Sequence, residues 1–223
     1  MKRLVVLSAG LSTPSTTRQV ADAISSAVAS AVGGRGEKLE VTTFELRELA
    51  GDLAQNMTTG LSTPHLDEVK RQLSEADGLV AVTPVFKASY TGLFKMFFDV
   101  LDTDALNGMP TIIAATAGTA RHSLVTEYAL RPLLAYMRAV VVPTALFAAT
   151  DDFGGAGGAD FSKRAARAAS ELAALIVSTQ ASVEGLAGAV GQPEAAPRKR
   201  KAGVDVEDGF VPFSQLLRGH SGD

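Results

Sequence analysis

Short apolar segments alternate with helical segments along the first 180 residues, and this alternation restricts the fold more than any other feature of the sequence. Five segments have the length and composition of strands, at residues 4–7, 39–44, 79–82, 111–115 and 140–147. Helical patterns occupy residues 16–32, 63–76, 91–101, 124–137 and 161–179, whereas residues 46–61 are mixed and read as partly loop. Regular alternation of this kind predicts a parallel sheet that is covered by helices on both faces.

The number of strands selects between the two common doubly wound arrangements. Five strands fit the flavodoxin-like order 2-1-3-4-5. We therefore predict an α/β fold with a flavodoxin-like, doubly wound, five-stranded parallel sheet in residues 1–180, followed by a C-terminal linker and tail in residues 181–223. In this order strands one and three are neighbours at the topological switch point, where ligands bind beyond the carboxyl ends of the strands.

An unusual loop follows each of those two strands. The first loop, residues 8–17, is rich in hydroxyl groups, which donate hydrogen bonds to phosphate oxygens, and Gly10 allows close approach of the backbone. The helix that follows adds free N–H groups and a positive dipole end. The loop has neither the Gly-Lys-Ser/Thr ending of a Walker A loop nor the G-x-G-x-x-G pattern. It predicts a phosphate site, with a Ser/Thr-rich turn and helix cap as the alternative.

The second loop begins abruptly at Thr83 and Pro84, after the third strand, and leads into a helix near residue 91. Because both loops lie beyond the carboxyl ends of neighbouring strands, they point to one crevice. Together they suggest a phosphate and a ring held side by side, as in flavin mononucleotide (FMN).

Composition excludes several classes of function. The net charge of -3 argues against a nucleic-acid partner, because proteins that bind nucleic acids usually carry a basic face. The absence of cysteine excludes disulfides, thiolate catalysis and cysteine metal sites, and it favours a cytoplasmic location. The apolar run at residues 4–7 is too short for a clear signal peptide, and no run approaches the length of a membrane span. No spacing of His, Asp and Glu suggests a metal site.

A family resemblance emerges when a third segment is added to the two loops. Residues 116–122, Thr-Ala-Gly-Thr-Ala-Arg-His, follow the fourth strand, and residues 128–134 continue the pattern. Over residues 3–178 the chain resembles NAD(P)H-dependent FMN reductases of the flavodoxin-like superfamily. It is most similar to the reductases that are paired with luciferase-like flavin monooxygenases, including the alkanesulfonate type.

The resemblance implies three groups of cofactor-binding residues. One group would hold the FMN phosphate: Gly10, Ser12, Ser15, Thr16 and Thr17. A second would line the isoalloxazine ring, largely through backbone groups: Pro84, Val85, Phe86 and Lys87, with Ser89 in the same loop. A third would flank the polar edge of the ring: Thr116, Ala117, Gly118 and Thr119. His122 is expected to contact the nucleotide or to support the structure.

One departure from the family pattern is visible. The family loop commonly reads G-S-x-R, whereas this chain has Ala9-Gly10-Leu11-Ser12. The missing arginine removes a bidentate phosphate contact, so FMN is expected to bind loosely or to rely more on hydroxyl groups and the helix end.

The resemblance implies an enzyme that reduces FMN with NADPH or NADH and releases reduced FMN to a luciferase-like monooxygenase of a two-component system. No catalytic acid–base residue is assigned, because the flavin performs the chemistry and the protein supplies position and electrostatics. A quinone or azo reductase with bound FMN is an open alternative. A flavodoxin-like electron carrier is disfavoured by the modest net charge and by the absence of tryptophan.

Two features predict a homo-oligomer, either a dimer or a tetramer. The helix at residues 90–101 carries Phe94, Phe97, Phe98 and Leu101, more aromatic surface than one monomer face needs. Similar reductases can carry a tyrosine at the position of Tyr128, in a π-type bulge at a subunit interface; the alternative is an ordinary buried aromatic residue.

After residue 180, a cationic run at 198–201 is interpreted as solvated linker, and the apolar residues 210–217 are expected to dock on this subunit or a neighbour.

Overall fold

A parallel sheet lies at the centre of the structure, which is a computed structural model and describes residues 1–149 and 155–177. Its strands are β1 (Lys2–Ser8), β2 (Leu39–Glu45), β3 (Gly78–Phe86), β4 (Ser89–Tyr90), β5 (Pro110–Ala117), β6 (Val140–Val141) and β7 (Leu146–Ala149). The main order is β2-β1-β3-β5-β6, with β7 also paired to β5 and β4 paired antiparallel to β3. The predicted flavodoxin-like order 2-1-3-4-5 is therefore confirmed for the parallel strands.

The predicted fifth strand is two strands, so the expectation of one strand at residues 140–147 is wrong. β6 pairs with the start of β5, and β7 pairs with its end. Pro143 lies between them and has no N–H group to continue the ladder. The Arg131 guanidinium instead donates to the carbonyl oxygens of Val142 and Pro143, both at 3.1 Å, and secures the bend.

Helices cover both faces of the sheet, as predicted. On one face lie α1 (Thr16–Gly33) and α6 (Gly155–Ile176), and on the other lie α2 (Ala50–Thr59), α3 (Pro64–Ser74), α4 (Gly92–Asp99) and α5 (Arg131–Tyr136). The side chains of β1 divide between the two cores, because Leu4 and Val6 pack with α1 and α6, whereas Val5 and Leu7 pack on the opposite side. Burial on both faces explains why this strand is a continuous apolar run.

Local signals predict some helix boundaries and miss others. Thr63 caps α3 as expected, since its hydroxyl accepts the N–H of Leu66 at 3.2 Å and Pro64 occupies the first turn. Residues 46–61 are mostly helical, with a 3-10 turn at Leu46–Leu49 before α2, so the interpretation as partly loop is largely wrong. α6 begins at Gly155 instead of at residue 161, within the glycine-rich segment. Helix formation there overrides the local preference of glycine.

The aromatic residues of α4 are core residues. Phe94, Phe97 and Phe98 are buried, and the ring centroids of Phe94 and Phe98 lie 4.8 Å apart. The interpretation of this face as surplus surface for an oligomer is therefore wrong, because the packing of α4 against its own sheet accounts for all three rings.

The helix predicted at residues 124–137 begins as a π-helical segment, Thr126–Leu130, that continues into α5. The π-type bulge at Tyr128 is confirmed. Tyr128 itself is 79% exposed, so the alternative of an ordinary buried aromatic residue is wrong.

No helix within residues 1–149 and 155–177 is long and apolar enough to cross a membrane. The linker and tail predicted for residues 181–223, with the cationic run and the apolar segment 210–217, lie outside the described residues, so the predicted domain boundary stays a prediction.

Candidate functional site

The three segments singled out in the sequence meet at one edge of the sheet. They follow β1, β3 and β5, which are hydrogen-bonded neighbours. Ser8 at the end of β1 lies opposite Val82 of β3, and Pro84 of β3 lies opposite Thr116 of β5. Because parallel strands end at the same edge, the loops that follow them form one continuous surface.

The loop after β1 delivers hydroxyl groups to the positive end of α1. Ser15 is the N-cap, and its hydroxyl oxygen accepts the backbone N–H of Arg18 at 3.2 Å. Thr16 and Ser12 are exposed, and the first turn of α1 contains no acidic residue. An accepting hydroxyl keeps its own hydrogen, so Ser15 can still donate to an anion at this helix end.

Gly10 is required by a close approach between the loop and the start of α1. A Cβ atom at position 10 would lie 2.0 Å from Ser15 Oγ and 3.1 Å from Thr17 Cβ. Any side chain here would displace the capping serine. The absence of a Cβ therefore keeps the loop folded over the helix end, as expected of a phosphate cradle.

Hydroxyl groups join the first and third segments. Thr17 Oγ1 and Thr116 Oγ1 are 2.9 Å apart, and both residues are buried. One hydrogen is used in this bond, so the pair retains a second hydrogen for a ligand.

The Ser8 hydroxyl, at the end of β1, is buried and has no hydrogen-bond partner among the residues described, although sequence reasoning did not select it. Buried groups of this kind call for a partner such as a ligand or water.

The segment after the third predicted strand is a hairpin. β3 continues through Phe86, four residues beyond the predicted end at residue 82, and the chain returns as β4. The turn residues Lys87 and Ala88 have φ values of 51° and 67°. Two successive non-glycine residues at positive φ are strained, and such strain clusters at functional loops. The hairpin leaves Phe86, Lys87 and Ala88 exposed and Pro84, Val85 and Ser89 half-buried.

Thr83 holds the hairpin in place, which sequence reasoning did not foresee. Its hydroxyl accepts the N–H of Thr91 at 3.2 Å and donates to the carbonyl oxygen of Pro84 at 3.0 Å. Thr91 is the N-cap of α4 and accepts the N–H of Phe94. Thr83 thereby ties the hairpin to the helix that follows it.

The third segment borders a groove. Thr116 and Ala117 are the last residues of β5, Gly118 and Thr119 are exposed, and His122 ends a short 3-10 turn. A cavity of about 290 Å³ lies between the hairpin turn and the π-helical segment, lined by Ala88, Arg121, His122, Leu124, Val125, Tyr128 and Ala129. Arg121 places a positive charge at the groove and forms no ion pair within the described ranges.

Residues 2–154 of the chain match the sequence pattern of the NADPH-dependent FMN reductase family. The chain belongs to this family. NADH-dependent FMN reductase SfnF of Pseudomonas putida is 34% identical over 151 residues, which are 68% of this chain and 79% of that protein. This membership confirms the predicted family, the assignment as an oxidoreductase, and the use of FMN and NAD(P)H.

Solved structures of similar proteins share the fold of this FMN reductase family member. An oxidoreductase from Corynebacterium diphtheriae is 71% identical, with a TM-score of 0.78 over 79% of this chain and 97% of that chain. The apo form of an NADH:FMN oxidoreductase, EmoB, is 28% identical, with a TM-score of 0.65 over 76% of this chain and 89% of that chain.

The residues at the edge of the sheet fit FMN. The close approach at Gly10, the capped start of α1 and the Ser8 hydroxyl, which has no partner among the described residues, suit a phosphate group. The exposed hairpin beside them presents backbone groups and the Phe86 ring, which is 49% exposed and could contact a flavin ring.

Proposed function

We propose that this chain reduces FMN with NADPH or NADH and binds FMN at the carboxyl edge of β1, β3 and β5. The observation that carries the proposal is the junction of the hydroxyl-rich start of α1 with the end of β5 through Thr17 and Thr116, beside the β3–β4 hairpin. The proposed phosphate ligands are Gly10, Ser12, Ser15, Thr16 and Thr17. The proposed ring contacts are Pro84, Val85, Phe86, Lys87, Ser89, Thr116, Ala117, Gly118 and Thr119.

Bound FMN supplies the chemistry, since it accepts a hydride from the nicotinamide and a proton from water. The chain positions the reactants. The α1 end and its hydroxyl groups would hold the phosphate, and Thr83 fixes the hairpin that would contact the ring. The groove with Arg121 and His122 leads to the hairpin and offers positive charge to the phosphates of the nicotinamide dinucleotide. Orientation of the two rings at near-contact distance accounts for catalysis without an acid–base residue.

Turnover with different acceptors tests this function. We expect flavin-free protein to oxidise NAD(P)H faster with free FMN than with FAD, riboflavin or a quinone, because the proposed cradle recognises a terminal phosphate. The measurement is steady-state NAD(P)H oxidation at 340 nm with each acceptor. In a parallel assay on protein reloaded with FMN, equal or faster turnover of the quinone, with FMN remaining bound, would instead establish the quinone or azo reductase.

We also propose that reduced FMN passes to a luciferase-like monooxygenase. Reduced flavin reacts quickly with oxygen, so an enzyme that makes it for use elsewhere benefits from a waiting acceptor. We expect more monooxygenase product with this reductase than with an unrelated flavin reductase of equal activity, at matched NADPH and with catalase present. Equal product yields would contradict a dedicated partnership, and added oxidised FMN would show how much transfer occurs by free diffusion.

A homo-oligomer and a cytoplasmic location remain part of the proposal. The exposed apolar residues Leu124 and Tyr128 lie at the π-helical segment, and exposed Tyr136 ends α5, which continues it; these residues support a subunit contact along this helix. Sedimentation velocity at micromolar concentration measures the assembly directly, and a single species of monomer mass would contradict the oligomer.

A further inference from the structure

We infer that Arg47, from the turn after β2, replaces the arginine that the phosphate loop lacks and makes this site select FMN over riboflavin. The inference rests on the proposed FMN site. It assigns to Arg47 two roles: bracing the loop after β1 and offering its remaining N–H donors to the phosphate.

The contacts of Arg47 reach the middle of the loop. Its Nη1 donates to the carbonyl oxygen of Ser12 at 3.1 Å and also to Thr13 Oγ1. These two residues form the outer part of the loop and are exposed, so few other contacts within the chain restrain them. The Arg47 side chain therefore fixes the segment of backbone that closes over the start of α1.

The sheet brings Arg47 to this position. β2 pairs with β1 along its whole length, with Glu45 opposite Ser8 in the register. Arg47 lies in the 3-10 turn that directly follows β2. The turn after β2 and the loop after β1 thus leave the same edge of the sheet side by side.

Glu45 orients the Arg47 guanidinium through an ion pair. Arg47 Nη2 lies 2.7 Å from Glu45 Oε2, and Arg18 Nη1 lies 3.0 Å from Glu45 Oε1. Glu45 thus lies between two arginines, and Arg18 is also paired with Asp22 at 2.8 Å, so two arginines face two carboxylates. A guanidinium has five N–H donors, and the contacts of Arg47 with Ser12, Thr13 and Glu45 use three of them. The two remaining N–H donors of Arg47 suit a phosphate, which riboflavin lacks.

Separate titrations of FMN and riboflavin test this role. We expect Arg47→Ala to raise the Kd of FMN by about 10- to 100-fold and that of riboflavin by less than about threefold, because only FMN carries the charged group. Arg47→Lys should restore part of the loss, since lysine keeps the charge but has a single nitrogen, whereas Arg47 contacts the loop through Nη1 and Glu45 through Nη2. The readout is quenching of flavin fluorescence on addition of flavin-free protein, so no turnover is needed.

Arg35→Ala is the matched control. Arg35 lies at the far end of α1 and donates to the carbonyl oxygens of Ala31 and Ser170, so this variant removes one surface arginine without touching the loop. We expect it to bind both flavins like the wild type. Thermal unfolding of every variant separates loss of fold from loss of affinity, and Arg47→Lys serves if Arg47→Ala does not fold.

The outcomes separate the inference from the proposed function. Equal losses for FMN and riboflavin in Arg47→Ala, or no loss for either, would overturn the role of Arg47 while the wild type still prefers FMN. A wild type that binds FMN no better than riboflavin would overturn the phosphate site itself, and the inference with it.

Discussion

Replacing Ser15 and Thr16 together by alanine is expected to weaken FMN binding by about 10²- to 10⁴-fold and to change riboflavin binding much less. Each hydrogen bond lost to a charged phosphate is worth about 1.5–3 kcal/mol. Ser15 also caps α1 through the N–H of Arg18, and loss of that cap lowers the free energy of unfolding by about 1 kcal/mol. This change in stability is the same whichever flavin is added. The difference between the two ligands therefore isolates the phosphate contacts, and isothermal titration calorimetry measures it.

Two other serines of α1 provide the control for this variant. Ser26 and Ser30 bond only to carbonyl oxygens one turn earlier in the helix, and Ser30 lies about 20 Å along the axis from Thr16. Their double alanine variant should bind both flavins with wild-type affinity. Equal losses of FMN and riboflavin affinity in the Ser15 and Thr16 variant would mean that this loop does not hold phosphate.

Truncation of Phe94 to alanine is expected to lower the free energy of unfolding by about 3–5 kcal/mol. Phe94 is fully buried, and its ring lies 5.8 Å from that of Tyr90 and 4.8 Å from that of Phe98. Alanine would leave a cavity between α4 and the sheet, directly behind the hairpin that ends in Tyr90. This is a large part of a typical total stability of about 5–15 kcal/mol. Urea unfolding followed by circular dichroism measures the change.

Tyr128→Ala is the control for Phe94→Ala, because it removes an exposed aromatic ring instead of a buried one. The Tyr128 ring is exposed, so its loss should change the free energy of unfolding of a single chain by less than about 0.5 kcal/mol. A destabilisation as large as that of Phe94→Ala would show that Tyr128 is buried in an assembly. An unchanged free energy for Phe94→Ala would contradict the assignment of the α4 aromatic residues to the core.

Local chemistry in the sequence was sufficient for several elements. Thr63 and Pro64 mark the start of α3 because capping and the fixed φ of proline act within one turn of helix. Strand and helix alternation predicted the layers, and the strand count predicted which strands are neighbours. That order alone placed the loops after β1, β3 and β5 at one edge, so the location of the candidate site followed from the sequence.

Contacts between distant segments decided what the sequence left open. The apolar pattern of α4 predicts a buried face, but only packing shows that the chain's own sheet buries it. The hairpin turn at Lys87 and Ala88 contains no glycine or asparagine to signal positive φ, and it is maintained by Thr83 and α4. Arg47 is 35 residues from Ser12 along the chain, and only the pairing of β2 with β1 brings them together. Signals that act within one turn or one strand are therefore readable in the sequence. Side-chain contacts across elements depend on register and packing, which only the tertiary structure determines.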